Sequence, residues 1–213
     1  MSRCALRSLR PCTRGHHVRV YTQSWEGECP DVFELVLVPV KSRTNHGRNA
    51  EYYSWVQAHL LQHPVDRVVG FNKMPGLDLY YAADVCYAEK VAQEKGFLYR
   101  LTSRYRHYAA FERATFEQGK PTQLLMLTDK QIADFQKHYQ TEAQRFHILP
   151  PGIYPDRKYS QQIPNSREVY RQKNGITEQQ NLLLQVGSDF TRKGVDRSIR
   201  VLASLPETLR TNT

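Results

Sequence analysis

An α/β fold built on parallel strands is what this sequence predicts, and three observations carry the prediction. Short apolar runs alternate with segments of helical period along residues 15–213. No two of the expected strands are joined by a hairpin turn. One run, Leu182, Leu183, Leu184 and Val186, is almost continuously apolar, the pattern of a parallel strand covered on both faces.

Residues 1–14, MSRCALRSLRPCTR, stand apart, with four arginines, a proline, two cysteines and no acid. Weak periodicity marks them as an atypical basic segment, either a frayed start or a basic anchor. Order is expected from Gly15. HHVRVYT (16–22) and FELVLVPV (33–40) read as strands, separated from the next element by a polar basic loop, Lys41 to Arg48. A helix should run from about Asn49 to His63, with Tyr52, Trp55, Val56, His59 and Leu60 on one side and Pro64 ending it. RVVGF (67–71) is the next strand, and 72–76 the loop leaving it.

LDLYYAAD (77–84) is an apolar segment ending on Asp84. A carboxylate at the carboxyl end of a strand is where α/β enzymes place groups that face substrate, although Asp84 could equally cap the following turn. QLLMLT (123–128) reads as plain sheet core, followed by a helix over 129–139 with Asp129 as its cap. FHILPPGI (146–153) is a strand running into a Pro-Pro-Gly exit, a linker signal. The implied organisation is a first domain over 15–153, a polar linker over 154–180 and the start of a second domain over 181–213. In that last stretch the strand at 182–186 meets a turn at Gly187-Ser188 and a helix opening near Arg192-Lys193-Gly194, with Val195, Ile199 and Leu202 on its apolar face. Two cations beside free backbone N–H groups make a seat for a diphosphate; the same pair also suits a solvated face.

Between them, residues 87–117 read as one aromatic and basic helix. Tyr87, Phe97, Tyr99, Tyr105, Tyr108, Phe111 and Phe116 are interleaved with Lys90, Lys95, Arg100, Arg104, Arg106 and Arg113. Between 98 and 113 the one acid is Glu112, which leaves a positive local field. An anionic membrane surface, a sheet-packed amphipathic helix and a nucleic acid all remain open readings.

The formal charge of +9 and pI near 9.4 point to anionic partners. Cys4, Cys12, Cys29 and Cys86 have neither zinc-ligand spacing nor the density of a disulfide scaffold, so a reducing compartment is favoured. There is no run of 18 apolar residues, no secretory h-region, no internal repeat, no P-loop and no GxGxxG. His59 and His63 lie four apart on one helix face with no third ligand, which suits a surface pair better than a metal site.

Five segments carry a more specific likeness: GHHVRVYTQSWEG (15–27), VKSRTNHGRNAEYY (40–53), FNKMPGLDLYYAADVCYAEK (71–90), LPPGIYPDRKY (149–159) and VGSDFTRKGVDRSI (186–199). Together they resemble the bacterial glucosyltransferases of the lipopolysaccharide core, within the large retaining GT-B family that includes sucrose and glycogen synthases. The resemblance implies a GT-B fold of two Rossmann-like domains, here a nearly complete N-terminal domain and a truncated second one. It implies UDP-glucose as donor, the inner-core heptose of lipopolysaccharide as acceptor, an α-1,3 link made with retention, no cofactor and no metal. It places the protein peripherally on the cytoplasmic face of the inner membrane, touching anionic lipid through residues 87–117, with no nucleic-acid partner. Arg192 and Lys193 match the family's diphosphate-binding pair, Gly187 its preceding turn, and Asp84 the polar catalytic position near the sugar. Asn72, Lys73 and His46-Gly47-Arg48 are weaker acceptor-side matches. The family's first strand and glycine-rich loop are not matched before residue 15, and its E-x7-E region is not matched before residue 213, so a fragment is expected. A non-catalytic membrane-surface fragment is the alternative.

Overall fold

β1 (Val18–Thr22) and β2 (Phe33–Leu37) pair in parallel, Val18 opposite Phe33 through Thr22 opposite Leu37. A computed structural model describes residues 15–150, 152, 165–187 and 190–210. The chain divides into two compact units, Met1–Pro151 and Gly152–Thr213.

In the first unit a second, four-stranded sheet has the order β3-β4-β5-β6: β3 (Val69–Gly70), β4 (Leu79–Ala82), β5 (Gln123–Met126) and β6 (Phe146–Ile148). Every pairing is parallel, as the missing hairpins require. β4 and β5 are central, and Tyr80, Ala82, Leu124 and Met126 are wholly buried. Phe116 and Phe135 stack face to face at 3.6 Å and close the core over them, with Met74, Leu77 and Cys86. Gly70 is needed where β3 passes Leu77, since a Cβ there would sit 2.4 Å from a leucine methyl.

Several boundaries differ from the sequence expectation, each for a local reason. α1 runs Asn45–Gln62. It starts ahead of the expected Asn49 because Thr44 caps it, accepting from the Gly47 N–H at 3.2 Å. His46, Gly47 and Arg48 therefore form its first turn and are not loop. α4 (Asp129–Tyr139) is capped by Thr128, which accepts from the Gln131 N–H, so Asp129 is the first helical residue. The strand expected over 67–71 keeps only two paired residues, and Val69 is half exposed.

The single helix expected over 87–117 is broken into α2 (Tyr87–Glu94), a 3-10 turn (Phe97–Leu101) and α3 (Ser103–Phe116). Lys95, Gly96 and Thr102 adopt extended backbone between the pieces, and Thr102 caps α3 through the Tyr105 N–H at 3.1 Å. The one continuous helical face expected over 87–117 does not exist across that break. Leu98 and Leu101 are exposed, whereas Tyr105 and Tyr108 on α3 are half-buried.

The second unit contains α5 (Ser166–Lys173), α6 (Phe190–Lys193), α7 (Val195–Ser204) and α8 (Glu207–Arg210). α5 falls inside the stretch expected to be linker. Its buried Arg171 donates to the carbonyls of Thr177 and Gln180, tying down the following turn. The strand expected at 182–186 does not form: no described residue pairs with it, and an unpaired apolar run has no neighbour for its backbone groups. Among the described residues no helix is long and apolar enough to cross a membrane.

Candidate active site

The carboxyl end of β4 opens onto a cavity of about 950 Å³ within the first unit. Its wall is assembled from the loops after β3 and β4, the first turn of α1, and α2 to α3. Ligand sites in open parallel sheets lie at such strand ends. Asp84 stands on this wall, exposed, two residues past β4. Its backbone carbonyl accepts from the Gln131 amide at 3.3 Å, which fixes the loop. Asp84 does not cap the following helix, because the N-cap of α2 is Cys86.

Cys86 makes no side-chain cap, and the α2 terminus is satisfied from elsewhere. Glu112 of α3 is wholly buried and accepts from the Tyr87 N–H at 2.7 Å and the Ala88 N–H at 2.9 Å. The same carboxylate accepts from the Tyr139 hydroxyl at 2.6 Å and pairs with the Lys73 ammonium. Lys73 donates onward to the Val85 carbonyl at 2.7 Å and stands on the cavity wall. A buried carboxylate surrounded by donors and one cation is tolerable where a lone one is not. Burial, and then the Glu112 charge, push the Cys86 thiol up to about 12 and raise the Tyr139 hydroxyl well above its usual range. Glu112, the one acid between 98 and 113, thus faces inward.

Lys73 was a minor candidate in the sequence, and Glu112 was not a structural one. No local spacing could reveal the pair, since the partners of Glu112 lie 24 to 39 residues away in the chain. Lys90, Lys95 and Arg104, cations of the 87–117 segment, and Arg48 also line the cavity.

Gly187 and Lys193 meet in the second unit. A Cβ on Gly187 would come 2.8 Å from the Lys193 side chain, and the Gln185 amide holds the Lys193 carbonyl at 2.7 Å. Arg192 lies in α6, and its side chain is outside the described residues. Of the expected strand–turn–helix the strand does not form and a helix opens at Phe190, while Ser188 of the expected turn lies outside the described residues.

His59 and His63 pack ring on ring at 4.4 Å, and His59 is also stacked on Trp55 and hydrogen-bonded to the Tyr21 hydroxyl at 2.9 Å. Among the described residues no three His, Cys, Asp or Glu side chains are grouped to hold a metal ion.

The resemblance of the sequence can now be measured. The chain is 86% identical over 200 residues to the lipopolysaccharide glucosyltransferase WaaG of Escherichia coli (strain K12), a match taking in 94% of this chain and 54% of that protein. The chain is a close relative of that enzyme. A crystal structure of WaaG, a glycosyltransferase involved in lipopolysaccharide biosynthesis, matches with a TM-score of 0.86 at 84% identity, over 97% of this chain and 56% of that one. The fold is accordingly α/β with parallel sheets, of the GT-B type that WaaG has. This chain spans about half the length of the relatives it matches. No protein-family model matches it.

Proposed function

We propose that this chain carries the acceptor-binding part of a lipopolysaccharide-core glucosyltransferase, which moves glucose from UDP-glucose to the inner-core heptose in an α-1,3 link with retention. One observation carries the reading: a chain 86% identical to WaaG holds, at the carboxyl end of a central parallel strand, a cavity lined by Asp84, Asn72 and Lys73. A carboxylate and an ammonium on one wall suit the orientation of a sugar hydroxyl through its donor and acceptor faces. Asp84 is the group placed to steer the reacting hydroxyl. In the second unit Gly187, Arg192 and Lys193 would hold the donor diphosphate, and the two cations would offset charge gathering on the departing UDP. No metal is needed in this reading.

A peripheral position on the cytoplasmic face of an inner membrane belongs to the same reading. Phe97, Leu98 and Leu101 are all more than half exposed on the 3-10 turn, with Arg100 among them and Arg106 on α3. Apolar side chains beside cations suit an anionic interface. The same patch supports a second reading, a membrane-surface module that binds without turnover.

A transfer assay separates the two. Labelled glucose from UDP-glucose should pass to lipopolysaccharide lacking its outer core, and Asp84→Asn should reduce the rate at least tenfold. Absence of both transfer and UDP binding, with flotation on anionic vesicles retained, would favour the surface module.

A further inference from the structure

α1 and α3 meet along a seam of paired side chains. His46 Nε2 lies 3.3 Å from the Ser103 hydroxyl, His107 Nε2 lies 2.7 Å from the Asn49 amide oxygen, and the Tyr53 and Phe111 rings meet edge to face at 5.2 Å. His46, Asn49 and Tyr53 follow one face of α1, and Ser103, His107 and Phe111 one face of α3. The middle pair borders the cavity, because Asn49 is part of its wall. An amide oxygen carries no proton, so His107 is the donor in this contact and Nε2 holds the hydrogen. Burial, and then neighbouring His46, hold the imidazole below its ordinary value, so at neutral pH the ring is uncharged and that hydrogen is its one N–H. The ring is packed 4.2 Å from that of Phe111, which keeps its direction. With the oxygen of Asn49 taken, its amide offers N–H donors alone, and they have no partner among the described residues. Gln23, on the same cavity, is held the same way round: its oxygen accepts from Arg48 at 2.7 Å and its amide N–H groups stay free among the described residues. Asp84, when ionised, offers acceptors alone.

We infer that Asn49 is a specificity-determining residue of the acceptor site, donating an amide N–H to a hydroxyl oxygen of the acceptor sugar, and that His107 is the positioning residue that keeps the amide this way round. The inference rests on the acceptor reading above and adds to it two residues and the polarity each presents. A sugar hydroxyl both donates and accepts, so a wall that carries Asp84 as acceptor and Asn49 as donor holds a ring by both faces of its hydroxyls. Turning the amide over would set its N–H against the His107 N–H, two donors facing each other, so the polarity of the wall is fixed before the sugar arrives. A pair that only joined α1 to α3 would be served equally well by a carboxylate at position 49, which still accepts from His107. Recognition of a sugar oxygen would not.

That difference makes Asn49→Asp the decisive variant, since it keeps an oxygen for His107 and replaces the cavity-facing N–H with an acceptor. Calorimetric binding of a truncated-core oligosaccharide and a set of its monodeoxy analogues tests the inference on the wild-type chain, on Asn49→Asp, and on His107→Phe and His107→Gln. Asn49→Asp should bind the parent oligosaccharide about tenfold more weakly than the wild type, the worth of one hydrogen bond. One monodeoxy analogue, lacking the oxygen that Asn49 addresses, should bind the wild type and Asn49→Asp alike. His107→Phe keeps the ring packing and frees the amide, so it should weaken binding several-fold, and His107→Gln, which restores an N–H donor, should recover part of the loss. Wild-type affinity in Asn49→Asp overturns the inference while leaving an acceptor cavity, because it reduces Asn49 to a joint between helices. An equal loss for every analogue assigns the effect to charge or packing and overturns it too. If the wild type binds none of these sugars, the acceptor reading itself fails and the inference falls with it.

Discussion

β4 and the segment 182–186 are both short apolar runs, and their fates are opposite. Leu79–Ala82 lies between β3 and β5, with Tyr80 and Ala82 at 0% exposure. Leu182, Leu183, Leu184 and Val186 are 45–82% exposed and pair with no described residue. Hydrophobicity recruits a strand, but neighbours complete it, by accepting its backbone hydrogen bonds and covering both faces. A site needs the same completion. Asp84 has its wall built by several segments of one unit, whereas Gly187 and Lys193 have beside them a leucine run that stays 45–74% exposed.

The largest expected effect sharpens the first half of this contrast. Glu112→Ala should destabilise the first unit by about 3–5 kcal/mol, because it leaves the largely covered Lys73 ammonium without its carboxylate and the α2 N–H groups without acceptors. Both tryptophans, Trp25 and Trp55, lie in that unit, so fluorescence-detected urea unfolding reads it alone. A loss below about 1 kcal/mol would show that Glu112 is not the anchor of the wall.

A matched leucine pair tests the contrast itself. Leu124→Ala, in a wholly buried position, should cost about 2–5 kcal/mol, and Leu183→Ala less than about 0.5 kcal/mol. Comparable losses at the two sites would mean that the 182–186 run is covered in solution.

Thiol chemistry offers a smaller contrast within the first unit. With its thiol pushed up to about 12 by burial and by Glu112, Cys86 should resist iodoacetamide at neutral pH, while half-buried Cys29 is alkylated. Peptide mass spectrometry would count the labels, and rapid labelling of Cys86 would contradict the closed wall.

The smallest effect concerns α2 and α4. Hydrogen bonds from Lys137, and then from His138, hold the Glu89 carboxyl down at about 2. A folded-state value below the ordinary one means that the pair stabilises the fold above about pH 4.5, and that this is lost as pH falls through about 2. Glu89→Gln should flatten stability against pH across that window, with a small loss at pH 7 and none below about pH 2, a loss limited by the exposure of Lys137.

The sequence made the alternation of strand and helix legible, and it placed Asp84 at a strand end, because both follow from local period and polarity. The resemblance of five segments extended that reading to the fold type. What stayed hidden came from distance along the chain. Lys73, Tyr87 and Tyr139 converge on Glu112 only after folding, and composition alone showed Glu112 as no more than the one acid in a basic stretch. Helix starts were misplaced at two threonine caps, Thr44 inside a stretch read as loop and Thr128 beside Asp129, which looked the stronger cap. Residues 87–117 read as one helix because their composition hides Thr102, the residue that ends one piece and caps the next.

The claim at the centre of the account is that the covered half of the molecule holds the acceptor site. Hydrogen exchange of the whole chain, with and without truncated-core oligosaccharide, tests it most directly. In the free protein the amides of 79–82 and 123–126 should exchange slower than those of 182–186 by about a thousandfold or more. Added oligosaccharide should slow peptides covering 72–74, 84–95 and 99–108, and leave 165–210 unchanged. Slowing confined to 182–210, or none along the cavity wall, would contradict the account.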